Sequence, residues 1–334
     1  MWSLGCEKAF LSAIFTHDLP NLVQDANLLQ QAGIEVEIGG PAATALPQYV
    51  LSETGILPHI GLDDRFEHVP GKYYMVFTSR GCRNNCQWCI VPKIEPELRE
   101  YDDFPIPIGK NPWVGDNNIL ATSWEHQKLV VDKLKDVRNL DINSGLEAPL
   151  FTEDHYQLYS QLKLEAWRLA FDSMKTEAEF ERAVKILKRH KVDYRRIIVF
   201  VLIGFPGTTF EEAVYRLEKA RNLGCSPYPQ RFSPLNALTS HYVAPGFDDV
   251  ELETLRTYWV NPWAWRTVPW KEYKRSYKPP KTNPQRIWEF KSNVKEGYAR
   301  TANELREETT GIGSPEGTSK GRKSKAKRSL GENM

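Results

Sequence analysis

Three of the chain's five cysteines crowd into eight positions: Cys82, Cys86 and Cys89, spaced Cys-x3-Cys-x2-Cys, while Cys6 and Cys225 stand alone. An odd count with one dense cluster is a site rather than a disulfide framework. Three thiolates suit a soft metal, and two chemistries compete for them. Structural zinc takes four protein ligands, commonly as two close pairs. This sequence offers no second pair: Cys225 is single and distant, and His126 and His155 fall where helices are expected to open. An iron-sulfur cluster held by three cysteines instead leaves one iron without a protein ligand. Such an open position distinguishes catalytic metal sites from closed structural ones. Arg80, Arg83 and Lys93 flank the loop; they balance a net-negative cluster, contact substrate, or are exposed loop charges. Cys6 and Cys225 read as inert thiols.

A scaffold must carry this loop, and from Tyr73 the pattern alternates strand, capped helix, strand. Expected strands are Tyr73 to Phe77, Asn118 to Ala121, Leu140 to Ile142, Trp167 to Phe171, Arg196 to Gly204 and Tyr228 to Leu238. Between them, Ser123 caps a helix with Val130, Leu134 and Val137 inward, and Thr152 caps one with Leu158, Tyr159 and Leu162 inward. Thr176 with Glu179, and Thr208 with Glu211, read as capping boxes, and Gly224 as a helix stop. Six strands alternating with helical patterns predict an α/β fold of parallel units joined by right-handed crossovers, in an open or partly closed β/α barrel. Ahead of it, Phe10 to Phe15, a helix opened by Asp18 and Pro20 and closed by Gly33, and the alternating Ile34, Val36 and Ile38 form a short α/β unit.

Length and composition bound the rest. A chain of 334 residues suggests about two domains. A content of 41% hydrophobic residues with ten tryptophans supports a large core and excludes wholesale disorder. Net charge is +1, so no global field advertises a polyanionic partner and any nucleic-acid binding must be local. The longest purely apolar run, Ile197 to Ile203, is far below the roughly 18 residues of a membrane span. It reads as a strand buried on both faces. Glu7 and Lys8 interrupt the opening residues, so no secretory signal and a cytoplasmic location are expected.

Trp259, Trp263, Trp265, Trp270 and Trp288 fall among Pro262, Pro269, Pro279 and Pro280. That stretch is either a closing face packed on the barrel or a stacking surface for nucleobases. From about Thr309 the chain is rich in Gly, Ser and Lys and is expected to be disordered. Ser314 to Met334 holds six Lys and Arg against two Glu, a net +4 that leaves the remainder at −3. The tail is a solvated end or an electrostatic arm for RNA or DNA. The expected organisation is a shortened Rossmann-like lead-in (1–70), a barrel (71–240), a Trp-rich extension (241–308) and a basic tail (309–334).

The cysteine spacing, with Trp88 just before Cys89, resembles the signature of the radical S-adenosylmethionine (radical SAM) enzymes. The resemblance runs from about Tyr73 to Leu238 and implies a partial (β/α)6 TIM-like barrel. It implies a 4Fe-4S cluster on Cys82, Cys86 and Cys89 whose open iron chelates S-adenosylmethionine. An electron from the reduced cluster then cleaves the sulfonium to a 5′-deoxyadenosyl radical. Family members often end the second strand in a Gly-Gly-Glu-like stretch whose backbone carbonyls bind the methionine amino group; the corresponding segment here reads as Ala121-Thr122-Ser123, a departure in side chains. Asn143 and Ser144 stand where the family contacts ribose or carboxylate, with Glu147 and Asp172 at neighbouring strand ends. The segment Ile203-Gly204-Phe205-Pro206 resembles the fifth-strand ending that approaches adenine, and Trp88 is expected to pack beside it. Each of these also has a turn, cap or packing role to play. Some relatives in the superfamily carry a cobalamin domain, but the Asp-x-His-x-x-Gly ligand motif is missing around His17, so cobalamin is not expected.

The expected activity is reductive cleavage of S-adenosylmethionine and hydrogen abstraction from an unassigned substrate, with an electron donor such as flavodoxin or ferredoxin. The substrate is RNA or DNA, or else a small molecule or peptide. The competing reading is a non-catalytic zinc- or iron-sulfur-binding protein that binds nucleic acid through the tail and the tryptophans.

Overall fold

A computed structural model describes residues 6–66, 74–238 and 242–276. Near the start, β1 (Lys8–Ser12) and β2 (Glu35–Gly39) pair in parallel, with α1 (Leu19–Gln31) between them and α2 (Gly40–Ala45) and α3 (Pro47–Thr54) after. The alternation in β2 is realised: Val36 and Ile38 are buried while Glu35 and Glu37 face outward. Leu19, Leu22, Ala26 and Leu29 of α1 close over this pair, and Gly33 ends the helix at φ +78°. The first strand lies two residues earlier than Phe10 to Phe15, because Ile14 and Phe15 turn out to solvent in the bend that follows. Ala9, Ala13 and the buried residues of α1 and β2 form their own cluster with Ala42, Ala43 and Val50.

The remaining elements are β3 (Met75–Val76), β4 (Ser79–Arg80), α4 (Val91–Ile94), β5 (Arg99–Glu100), β6 (Trp113–Val114), α5 (Trp124–Leu134), β7 (Arg138–Ile142), α6 (Glu153–Tyr159), β8 (Lys163–Leu164), β9 (Trp167–Ala170), α7 (Glu177–Arg189), β10 (Ile197–Ile203), α8 (Phe210–Asn222) and β11 (Ser226–Arg231). Four strands pair in the order β3-β6-β7-β8 and three in the order β9-β10-β11, all parallel. A parallel bridge between Leu146 and Leu169 links β9 to the loop after β7. The fold is therefore mixed α/β with parallel sheets. Along both sheets the spatial order follows chain order, and each parallel pair is joined by a crossover long enough to carry a helix. The seven-residue β10 is the central strand of its sheet and buries Ile197, Val199, Val201 and Ile203 completely.

Four local expectations are corrected. The strand before α5 is Trp113–Val114, and Asn118 to Ala121 is not a strand: Ile119–Ala121 forms a 3-10 turn whose three side chains are all buried, Ile119 and Leu120 within the main core. A three-residue apolar run carries no period of its own, and here it packs as a turn. Thr176 makes no cap; its hydroxyl donates to the Ser173 carbonyl at 3.0 Å, and Glu179 does not reciprocate. The second capping box lies one residue later than Thr208 and Glu211: Thr209 accepts from Glu212 N at 3.1 Å, and Thr209 N donates back to the Glu212 carboxylate at 3.1 Å. Thr208 closes the preceding turn on the Phe205 carbonyl instead. The last strand ends at Arg231, short of Leu238, and carries Pro227 and Pro229, as an edge strand can.

Three helices follow: α9 (Asp249–Val260), α10 (Pro262–Thr267) and α11 (Trp270–Ser276). Trp259, Trp265 and Trp270 are buried in the main core with Leu252, Leu255 and Tyr258, so these indoles pack rather than stack on a ligand; Trp263 is 68% exposed. Trp288, Tyr73 and the basic tail lie outside the described residues. Among the described residues no helix is long and apolar enough to cross a membrane.

Candidate functional site

The path of the cysteine loop is fixed at both ends by carboxylates. Asp116, fully buried just after β6, accepts from Thr78 N at 2.6 Å, from Thr78 Oγ1 at 2.5 Å and from Ser79 Oγ at 2.8 Å. His126 Nε2 lies 3.1 Å from the same Thr78 hydroxyl. Burial pushes the Asp116 carboxyl up, and the donors from Thr78 and Ser79 oppose that rise. On the other side Glu95 accepts from Gly81 N at 2.8 Å, Asn117 Nδ2 at 2.6 Å and the Arg80 guanidinium at 3.2 Å. Gly81 turns at φ +82°, and a Cβ there would stand 2.0 Å from the Glu97 carbonyl oxygen. Only glycine fits that approach. The antiparallel pair β4–β5 draws Glu100 onto Ser123, whose N and Oγ donate to it at 2.6 and 2.7 Å.

Within the loop all three cysteines are half-buried. Asn84 N points at Cys82 Sγ from 3.4 Å, Val91 N at Cys89 Sγ from 3.4 Å, and Asn118 Nδ2 at Cys82 Sγ from 3.6 Å. Burial raises the Cys86 thiol first, and nearby Cys89, Cys82, Asp172 and Glu147 add to it. Cys89 is likewise raised by burial, against the donor at Val91 N, with Cys82 and Glu95 adding. The three sulfurs thus sense one another, although among the described residues no three His, Cys, Asp or Glu side chains form a ready-made metal-binding group.

The donor set fits an iron-sulfur cluster. Cluster cysteines sit on separate irons rather than on one centre, and N–H groups aimed at sulfur are the outer contacts that tune such clusters. A second observation lies beside them. Asn118 is buried, its amide nitrogen is shared between Cys82 and Glu147, and its Oδ1 has no donor among the described residues. A buried acceptor without a donor is costly unless something supplies one.

The structure brings some expected residues together and separates others. Trp88 meets the Phe205 ring edge-on at 5.1 Å, and Phe205 packs on Phe232, so the loop's indole sits against the segment that follows Gly204. Gly204 has φ +73°, with Leu252 of α9 3.1 Å from where its Cβ would be. Asp172, at the end of β9, accepts from Leu202 N at 2.7 Å; burial raises its carboxyl against that bond and the charge of Arg216. Arg216 is itself fully buried and donates to the Phe171 carbonyl at 3.0 Å. Glu147 reaches Asn118. Asn143 and Ser144 are exposed after β7; Ser144 Oγ donates to the Asp116 carbonyl, while Asn143 N meets the Val114 carbonyl at 3.3 Å.

Ala121, Thr122 and Ser123 do not end a strand: Ala121 closes the 3-10 turn, Thr122 donates to the Ile119 carbonyl at 2.7 Å, and Ser123 caps α5 by accepting from His126 N at 3.2 Å. The strand end in that position is Gly115-Asp116-Asn117, directly after β6. Asp116, Asn118 and Glu95 went unrecognised in the sequence. The signal was the polar run from Gly115 to Asn118 behind a two-residue apolar step, too short to read as a strand. Compared with models of known protein families and with curated proteins, the chain matches none.

Proposed function

We propose that the chain is a radical SAM enzyme. The observation that carries the proposal is the three-cysteine loop with N–H groups directed at two of its sulfurs, Cys82 and Cys89, and an unfilled buried acceptor, Asn118 Oδ1, beside Cys82. Cys82, Cys86 and Cys89 would hold a 4Fe-4S cluster, which would supply the electron for reductive cleavage of S-adenosylmethionine.

The chain's own residues hold and orient the cofactor. Gly115, Asp116 and Asn117 take over, from Ala121, Thr122 and Ser123, the strand-end position that the resemblance assigns to the methionine amino group. Asn118 Oδ1 suits that ammonium, which can only donate. Trp88, packed on Phe205, shields one side of the adenine position beside Gly204. Asp172 and Glu147 present carboxyl groups near Cys86, where they accept hydrogen bonds from ribose hydroxyls or from a substrate. Counted with β8 and β9, two residues apart, as one interrupted strand, the parallel order β3, β6, β7, β8/β9, β10, β11 has six members and supports the partial (β/α)6 barrel, whose strand ends gather such groups at one rim. A ferredoxin- or flavodoxin-type donor in a cytoplasmic setting completes this reading.

The test is anaerobic reconstitution. We expect about four irons with acid-labile sulfide per chain, and 5′-deoxyadenosine on adding dithionite and S-adenosylmethionine. Cys86→Ala should remove both. Stoichiometric zinc without iron, or full cleavage by the Cys86→Ala protein, would overturn the assignment.

A further inference from the structure

A cavity of about 310 Å³ lies where the second half of α8 meets the segment joining α10 to α11. Glu218, Arg221, Trp265, Arg266, Val268 and Lys271 line it, and none of the lining residues belongs to the cysteine loop or to a strand end. Its charge is one-sided, three cations against Glu218. Among the described residues none of these cations is in a salt bridge, whereas most other lysines and arginines of the fold are paired.

The two guanidinium groups are held by aromatic rings instead. Arg266 lies 4.8 Å from the Trp265 ring and 5.1 Å from that of Tyr194, and Arg221 lies 5.9 Å from the Trp259 ring. Arg221 also reaches the Trp265 carbonyl and Asn222 Oδ1, each at a long 3.5 Å, and the Tyr258 hydroxyl. A ring under a guanidinium occupies its flat face and leaves the N–H edge, the fork that matches phosphate oxygens. Trp265 forms part of the wall and is over nine-tenths buried. The sequence keeps the same sign beyond the cavity, with five Lys and Arg against one Glu over 272–286.

We propose that this cavity binds a phosphate group, from either a small phosphate ester or one residue of a nucleic-acid strand. The proposal is independent of the chemistry at the cysteine loop.

The test uses the full chain and two probes: pyrophosphate, and a labelled single-stranded RNA of about 15 nucleotides. Both are titrated between about 50 and 200 mM salt. The double variant Arg221→Gln, Arg266→Gln should weaken whichever probe binds by at least about tenfold, with Lys185→Gln, an exposed change on α7, as the unaffected control. RNA binding that falls steeply with salt identifies the strand; pyrophosphate binding alone identifies the small ester. If the double variant loses its cooperative unfolding, the single exposed change Lys271→Gln gives the same reading in the intact fold. Failure of both probes to bind, or wild-type binding by the variants, would overturn the proposal.

Discussion

Gly81 sits where the chain leaves β4 and enters the cysteine loop, in the left-handed region and against the Glu97 carbonyl. A methyl group there meets backbone on both counts, and backbone does not swing aside as a side chain does. Gly81→Ala should lower stability by about 1–3 kcal/mol and leave reconstituted protein with less than half the wild-type iron, measured by urea unfolding and metal analysis. The cysteines differ among themselves in a way that reagents can read. Cys225 is buried in the main core, and burial pushes its thiol up to about 12. The thiolate is the reactive form, so in the folded apoprotein Cys225 should resist iodoacetamide from pH 7 to pH 10 and react only when urea exposes it. Residues such as Asp116 and Asn118 announce themselves only once β6 is located, because a buried carboxylate and a buried amide look like any loop polar group in a linear text.

Among the elements, β2 was legible because its period-two alternation is strict, and β10 because seven consecutive apolar residues admit few other readings. The caps of α5 and α6 were legible from Ser123 and Thr152. The slip from Thr208 to Thr209 shows the limit of that signal: two adjacent threonines with two glutamates three residues on offer the same box in either register. Only the turn made by Thr208 on Phe205 decides between them. β6 was illegible for its brevity, and α10 and α11 because prolines at 262 and 269 cut the aromatic stretch into helices too short to display a period; the twelve-residue α9 does carry a helical stripe, Leu252, Leu255, Tyr258 and Trp259, that went unread. The lead-in unit carries a prediction of its own. Hydrogen bonds from Arg65 and then Lys8 hold the Glu37 carboxyl down at about 2, and Arg65 does the same for Asp63. Depressed carboxyls contribute stability above their ordinary range and lose it as pH falls towards 2. Arg65→Gln should therefore raise both titrations towards about 4, seen by NMR, and flatten the acid loss of protection at the β2 amides between pH 5 and pH 2.

At the scale of the molecule, the rhythm of strands and helices conveyed the parallel order of the sheets, while the extent of the core did not follow from it. The main cluster draws Leu252, Leu255, Tyr258, Trp259, Trp265 and Trp270 from beyond the last strand. Those helices are structural walls of the fold. A chain ending at Leu238 should accordingly lose cooperative unfolding and bind a hydrophobic dye; a sharp urea transition in that fragment would show them to be an appendage. One further contact joins distant parts of the sequence, the bond from the Thr16 hydroxyl to the Ala237 carbonyl. Its two ends leave the ribosome far apart in time: at roughly 5–20 residues per second, Ala237 emerges on the order of ten seconds or more after Thr16. The lead-in cluster, complete by Ile56, has that interval in which to fold before its anchor exists, so the order of synthesis gives the β1–β2 pair time to set its register before the larger sheets compete for its strands.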